Sequence, residues 1–151
     1  MLKNIIREQY QSKINQLVDI KEIIRPKEGW IRAMRKALGM SSPQLANRLA
    51  VSRSQASQME RMEVEDRITL KQLRRTADTL GCDLVYALKP RKTVEEMIRD
   101  RAKEKAQSIV EQTNVHMKLE AQELSKKELD AQIEYEIQRL IREMPRDLWE
   151  D

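Results

Sequence analysis

Apolar side chains recur at three- and four-residue spacing along most of the chain, the period of helices with one face turned inward. Leu2, Ile5, Ile6, Tyr10, Ile14, Leu17 and Val18 predict a helix over 2–24. Arg25-Pro26 closes it, because the residue before a proline is pushed out of the helical region. Further on, Ser41/Gln44, Ser52/Gln55, Thr69/Gln72 and Thr93/Glu96 each place a hydroxyl three positions before a longer hydrogen-bonding side chain. That is the capping box, in which the two side chains satisfy the free amide donors of a helix start. With their apolar stripes, these segments predict helices near 30–38, 42–49, 53–62 and 70–80, and Gly81 supplies the left-handed stop of the last. Residues 83–88 alternate instead, Leu84, Tyr86 and Leu88 against Val85 and Ala87, and predict a short strand before Pro90. The chain offers no second strand, and backbone groups need partners. Pairing with the same segment of a second copy is the simplest answer, which makes Leu84, Val85, Tyr86, Ala87 and Leu88 the expected dimer interface. Beyond Thr93 the spacing predicts helices over 94–112 and 126–144, and it falters between, where Val115, Met117 and Leu119 alternate.

Composition agrees with a mainly α fold. Charged residues make up 36% of the 151, Gly and Pro are scarce and Phe is absent, as in amphipathic helices around a small aliphatic core. Charge divides the chain into three parts. Residues 1–28, a helix and linker, carry a net +2; residues 29–90 carry +5; the helical extension 91–151 carries −3. A basic middle beside an acidic tail points to nucleic acid at the middle and protein at the tail. No run approaches the roughly 18 apolar residues of a membrane span, and the N-terminal residues lack the pattern of a signal peptide, so a cytoplasmic protein is expected. Cys82 stands alone, which excludes an internal disulfide or a cysteine-rich zinc site. His116 is the single histidine and has no ligand-spaced neighbours. We expect no metal, no cofactor and no catalytic constellation.

The twenty residues Ser42–Arg61, SPQLANRLAVSRSQASQMER, carry the functional argument. A helix-turn-helix needs a small residue where its two helices approach, and Ala46 occupies that place. Leu45, Leu49, Val51, Ala56 and Met59 supply the apolar packing. The second helix must begin on a cap and turn short polar or basic side chains toward the major groove. Ser52 is the cap, and Arg53, Ser54, Gln55, Ser57 and Gln58 form the outward set. Arg pairs with guanine, Gln with adenine and Ser with either. Ser42, Gln44, Arg61 and, on the preceding helix, Arg32 are the expected neighbours in DNA contact. The turn holds Ala50 where glycine with positive φ is usual, at a cost on the order of 1 kcal/mol. The acidic run Glu63–Asp66 would repel phosphate and should point away from DNA.

Segments 29–63 and 68–90 resemble the Xre/Cro-type, lambda-repressor-like domain. The wider frame resembles the "mobile mystery protein A" family: Gly29-Trp30-Ile31-Arg32-Ala33, Leu73-Arg74-Arg75, Cys82–Pro90, His116-Met117-Lys118-Leu119-Glu120 and Leu148-Trp149. That resemblance covers nearly the whole chain. It implies an antitoxin-like repressor encoded beside a Fic-domain protein, with any nucleotide transfer belonging to that partner. Two departures stand out. Ser42 replaces the phosphate-gripping glutamine frequent at the start of the first motif helix. The inhibitory pattern of small Fic antitoxins is also missing, since no Ser or Thr here has Glu four residues later. The expected protein is thus a homodimeric, sequence-specific transcriptional repressor of a palindromic operator, not an enzyme. The alternative is an interaction module whose helical arms restrain a partner, with DNA binding secondary. Ile133, Ile137, Leu140, Met144 and Trp149 are the candidate partner contacts, unless that helix folds back as core.

Overall fold

A computed structural model describes residues 1–119 and 125–151, with the backbone alone at 117–119; Glu120, in the His116–Glu120 resemblance, lies outside them. The described residues form seven helices: α1 (Leu2–Asn15), α2 (Trp30–Ala37), α3 (Ser42–Arg48), α4 (Arg53–Val64), α5 (Leu70–Thr79), α6 (Val94–Leu119) and α7 (Lys126–Glu143). They divide into two compact units. Residues 21–87 form one, and 1–20 together with 88–151 form the other. Residues 1–20 of the first segment therefore belong with the third and 21–28 with the middle, a division that composition alone does not display.

In the unit of 21–87, Ile31, Leu45, Leu49 and Leu80 are buried together, with Met34, Met40, Val51, Met59, Ile68, Leu73 and Cys82 packed on them. The four capping boxes read from the sequence all form, including Thr93/Glu96 at the start of α6. Gly81 ends α5 in the left-handed region at φ 73, and Cys82 N–H reaches back to the Ala77 carbonyl at 2.8 Å.

α4 presents two glutamates to the interior. Glu63, 3% exposed, accepts from the backbone N–H groups of Trp30 (2.6 Å) and Ile31 (2.8 Å), so a carboxylate from one helix caps the start of another. A Cβ on Gly29 would lie 2.9 Å from Glu63 Oε1, and φ there is 87, so only glycine fits. Glu60 accepts from Arg35 Nε at 2.6 Å, while Arg35 Nη1 donates to the Met40 carbonyl. Arg25 fastens the incoming chain to the far end of α4 through the carbonyls of Glu63 and Val64 and the Asp66 carboxylate.

In the other unit, Ile98, Ala102, Ala106 and Val110 are buried at four-residue spacing on α6, and the alanines let α7 come close. Ile137, Leu140 and Leu148 complete this core, with Val94, Ile133, Ile141 and Met144 against it. α1 buries no residue fully, but its last one acts at a distance: Asn15 Oδ1 accepts from Val94 N–H at 2.8 Å, capping α6.

Three expectations are corrected. The first helix ends at Asn15 rather than near 24, because Asn15 turns aside to cap α6 and Arg25 is drawn to α4. No strand forms over 83–88: the segment runs without regular structure, since no other strand among the described residues offers it a ladder. α6 continues through Leu119, across the stretch where the spacing falters; Thr113 Oγ1 satisfies itself on the Ile109 carbonyl.

The Arg35–Glu60 pair is nearly enclosed, with side chains 12% and 10% exposed. Glu60→Ala strands a buried guanidinium and should cost about 3–5 kcal/mol in chemical denaturation. An Arg35→Met/Glu60→Leu double variant, which removes both charges, should lose far less. Equal losses would locate the effect in side-chain volume rather than charge.

Candidate nucleic-acid interface

α3 and α4 meet at Ala46, 2% exposed, between the buried Leu45 and Leu49. The turn between them works as the sequence requires. Ala50 takes the left-handed conformation at φ 56, and Val51 N–H closes on the Ala46 carbonyl at 3.0 Å. An L-residue there carries the expected strain of about 1 kcal/mol, held by packing on both sides.

The two faces of α4 differ sharply. Ala56, Met59, Glu60 and Glu63 turn inward at helical spacing, and Arg53, Ser54, Gln55, Ser57, Gln58 and Arg61 are exposed. The outward set thus lies in solvent on the side away from α2. Ser52 and Gln55 form the cap reciprocally: Gln55 N–H donates to Ser52 Oγ (3.1 Å), and Ser52 N–H donates to Gln55 Oε1 (2.9 Å). The Gln55 amide is held in place with its Nε2 donors unused. Gln44 is placed the same way by Ser41, while Ser42, the first residue of α3, is half-buried. Arg32 is exposed on α2.

Electrostatics sharpen the asymmetry. Within residues 21–87 the ion pairs are Arg25–Asp66, Arg35–Glu60, Lys36–Glu28 and Arg67–Glu65. Arg32, Arg48, Arg53, Arg61, Lys71 and Arg74 are exposed and take part in none of them. On α4 both glutamates are drawn into the interior, while Arg53 and Arg61 remain on the surface. The Glu63–Asp66 run is tied down by Arg25, with Glu63 itself buried.

The remaining candidates separate. Val85, Tyr86 and Leu88 are 79%, 64% and 86% exposed; Ala87 is exposed, and Leu84 is half-buried. Leu84 and Val85 border an apolar groove that Ile23, Trp30, Met34 and Leu73 also line. The stripe assigned to a partner lies elsewhere than expected. Ile137 and Leu140 are buried in their own unit's core, Ile133 and Met144 pack against it, and of the five only Trp149 is exposed. The tail that carries Trp149 is pinned by Leu148, fully buried, and by Arg101 Nε on the Leu148 carbonyl at 2.7 Å. His116 is exposed, and no cluster of metal-ligating side chains occurs among the described residues. No helix among them is long and apolar enough to cross a membrane.

Two functional features escape a sequence reading. The inward glutamates of α4 look in the sequence like ordinary surface acids, although their spacing with Ala56 and Met59 places them on the buried face. Arg75 looks like a surface cation, yet its Nη2 donates to the Leu49 carbonyl at 2.8 Å, fastening α5 to the end of α3.

No curated protein and no solved structure matches the chain. Residues 31–86, a little over a third of it, match the family model described as "Helix-turn-helix". The match spans α2 to α5 and the segment after them, so this part of the chain is similar to helix-turn-helix domains of the Xre-like type.

Proposed function

We propose that the protein is a cytoplasmic transcriptional repressor that reads a palindromic operator as a homodimer, and that it is not an enzyme. The exposed, cap-anchored face of α4 carries this reading: polar side chains suited to base edges stand on one side, with the helix's carboxylates turned to the other. Phosphate contacts from Arg32, Ser42, Gln44 and Arg61 position the domain, and Arg53, Ser54, Gln55, Ser57 and Gln58 select bases. Ser52 holds Gln55 for that purpose.

The segment Leu84–Leu88 is the proposed dimer seam. Val85, Tyr86 and Leu88 stand in solvent, no backbone bond among the described residues pairs the segment's peptide groups, and two copies could supply each other's missing strand. The resemblance to the mobile mystery protein A family adds a Fic-domain partner and an antitoxin-like role. Support for an interaction surface comes from the unit of 1–20 and 88–151, where Ile6, Tyr10 and Trp149 border one apolar groove. That surface, rather than the buried stripe of α7, is the proposed seat of a protein partner. It is also what favours the second reading, an interaction module in which DNA binding is secondary.

Gel shifts with the DNA upstream of the coding sequence test the first reading. Gln55→Ala should lose about 1–3 kcal/mol on the operator and little on random duplex, and Arg32→Ala should weaken both alike. Equal losses for Gln55→Ala on the two DNAs would remove α4 from base reading. For the dimer, Val85→Pro deletes an amide donor from the seam and should shift sedimentation toward monomer. An unchanged dimer would move the interface elsewhere. Trp149→Ala should weaken capture of the neighbouring Fic-type protein at least tenfold, about 1.4 kcal/mol, while operator binding stays intact. Unaltered capture would rule out this groove.

A further inference from the structure

The segment Asp83–Lys89 carries opposite charges at the two ends of an apolar run. Asp83 precedes Leu84, Val85, Tyr86, Ala87 and Leu88, and Lys89 follows them. Both charged residues are exposed, and neither joins an ion pair among the described residues. Asp83 borders a surface hollow with Lys71, Arg74 and Asp78, yet it bridges to neither cation. No backbone bond among the described residues uses a peptide group from 83 to 89. Alongside, Leu84 and Val85 border an apolar groove of about 310 Å³, and Asp83 is the charged residue that lines it.

Antiparallel pairing about a two-fold axis sets each residue opposite the one at equal distance from the axis. With the axis at Tyr86, Leu84 meets Leu88 of the second copy, Val85 meets Ala87 and Asp83 meets Lys89. Opposed residues share a face of the ribbon. One face then holds two leucines and a tyrosine from each copy, and the other holds valine and alanine flanked by opposite charges. Neighbouring registers lose this match. An axis at 85 sets Asp83 against Ala87 and Lys89 against Gly81. One at 87 sets Val85 against Lys89 and Leu84 against Pro90, which has no amide to donate. Axes between residues bring Leu88 against Asp83, or Leu84 against Lys89.

We propose that the dimer seam is an antiparallel ribbon centred on Tyr86, in which Asp83–Lys89 pairs between copies fix the register and select a second copy of this chain as partner. This rests on the seam read above and adds its specificity-determining residues. Leu88 of the second copy comes to lie beside Leu84 at the groove, and Lys89 of that copy beside Asp83.

Sedimentation of the full chain tests the pairs. Asp83→Lys opposes lysine to lysine at both ends of the ribbon, and Lys89→Asp opposes aspartate to aspartate. Each variant alone should dimerise roughly tenfold more weakly than wild type. Mixed in equal amounts, the two should dimerise like wild type, because the mixed pair has opposite charges at both ends; added salt should narrow the difference. Cysteines locate the axis. In a Cys82→Ala background, Tyr86→Cys should form a disulfide with its own copy, since directly opposed residues lie within disulfide range. Val85→Cys and Ala87→Cys should crosslink only when mixed, each being roughly 7–8 Å from its own copy on the diagonal. The register is overturned by charge variants that dimerise like wild type, by a mixture no tighter than either variant alone, or by Val85→Cys crosslinking to itself as fast as Tyr86→Cys. A monomeric wild type, or a dimer that also survives Val85→Pro, defeats the seam instead.

Discussion

The carboxylate of Glu63 organises the helix-turn-helix unit. It leaves α4 inward, is almost wholly buried, and takes its two hydrogen bonds from the first amides of α2. A buried anion without partners would cost several kcal/mol, so this geometry admits little variation. It dictates glycine at 29, because any side chain there would collide with the carboxylate. It fixes where α2 begins, and the Arg35–Glu60 pair one turn back on α4 then fixes how α2 lies. Arg25 completes the arrangement by binding the carbonyl of the same residue. The recognition helix is therefore held by charge-assisted bonds along its inner face as well as by apolar packing.

That constraint has an electrostatic consequence for the outer face. A helix with two glutamates in its last two turns would ordinarily present a negative flank to DNA. Here both are consumed internally, one by backbone amides and one by a guanidinium, so the exposed face keeps Arg53 and Arg61 without opposing charge. The same division recurs in the choice of glutamine for every capping box of this unit. On α4, stability and the proposed recognition thus make compatible demands: its carboxylates strengthen the interior, and neutral or cationic groups occupy its outer face.

Local signals were the legible part of this chain. Capping boxes, the left-handed Ala50 and the Gly81 stop each depend on a few neighbouring residues, and each forms where the spacing places it. Partners distant in sequence were not legible. Nothing near Ile20 announces that Arg25 will meet Glu63, 38 positions on, or that Asn15 will cap α6 across 79. The alternation of 83–88 is a real strand signal, but strands are made by their neighbours, and this one has none among the described residues. The stripe on α7 was correctly seen as apolar. What covers it was invisible, because the alanines at 102 and 106 that receive it look unremarkable until two helices are set side by side. Arg75 shows the same limit, since a surface cation and a structural one share one letter.

The discontinuity of the second unit bears on how the protein can be divided. Its helices α6 and α7 follow the helix-turn-helix, but α1 precedes it, so the unit of 21–87 is inserted into the other along the chain rather than joined to its end. Charge along the chain suggests a cut at Pro90, and such a cut would separate α1 from the helix that Asn15 caps and from the side chains of α6 and the C-terminal segment that line its apolar groove. Ile6 and Tyr10, already 44% and 67% exposed, would then lose Val94, Ile98, Met144 and Trp149 from the groove they share. Loss of DNA binding in that fragment would report exposed α1 as readily as a missing contact. Point changes at the exposed Gln55, Val85 and Trp149 leave both cores intact, and such changes can test the proposed base reading, dimerisation and partner capture one at a time.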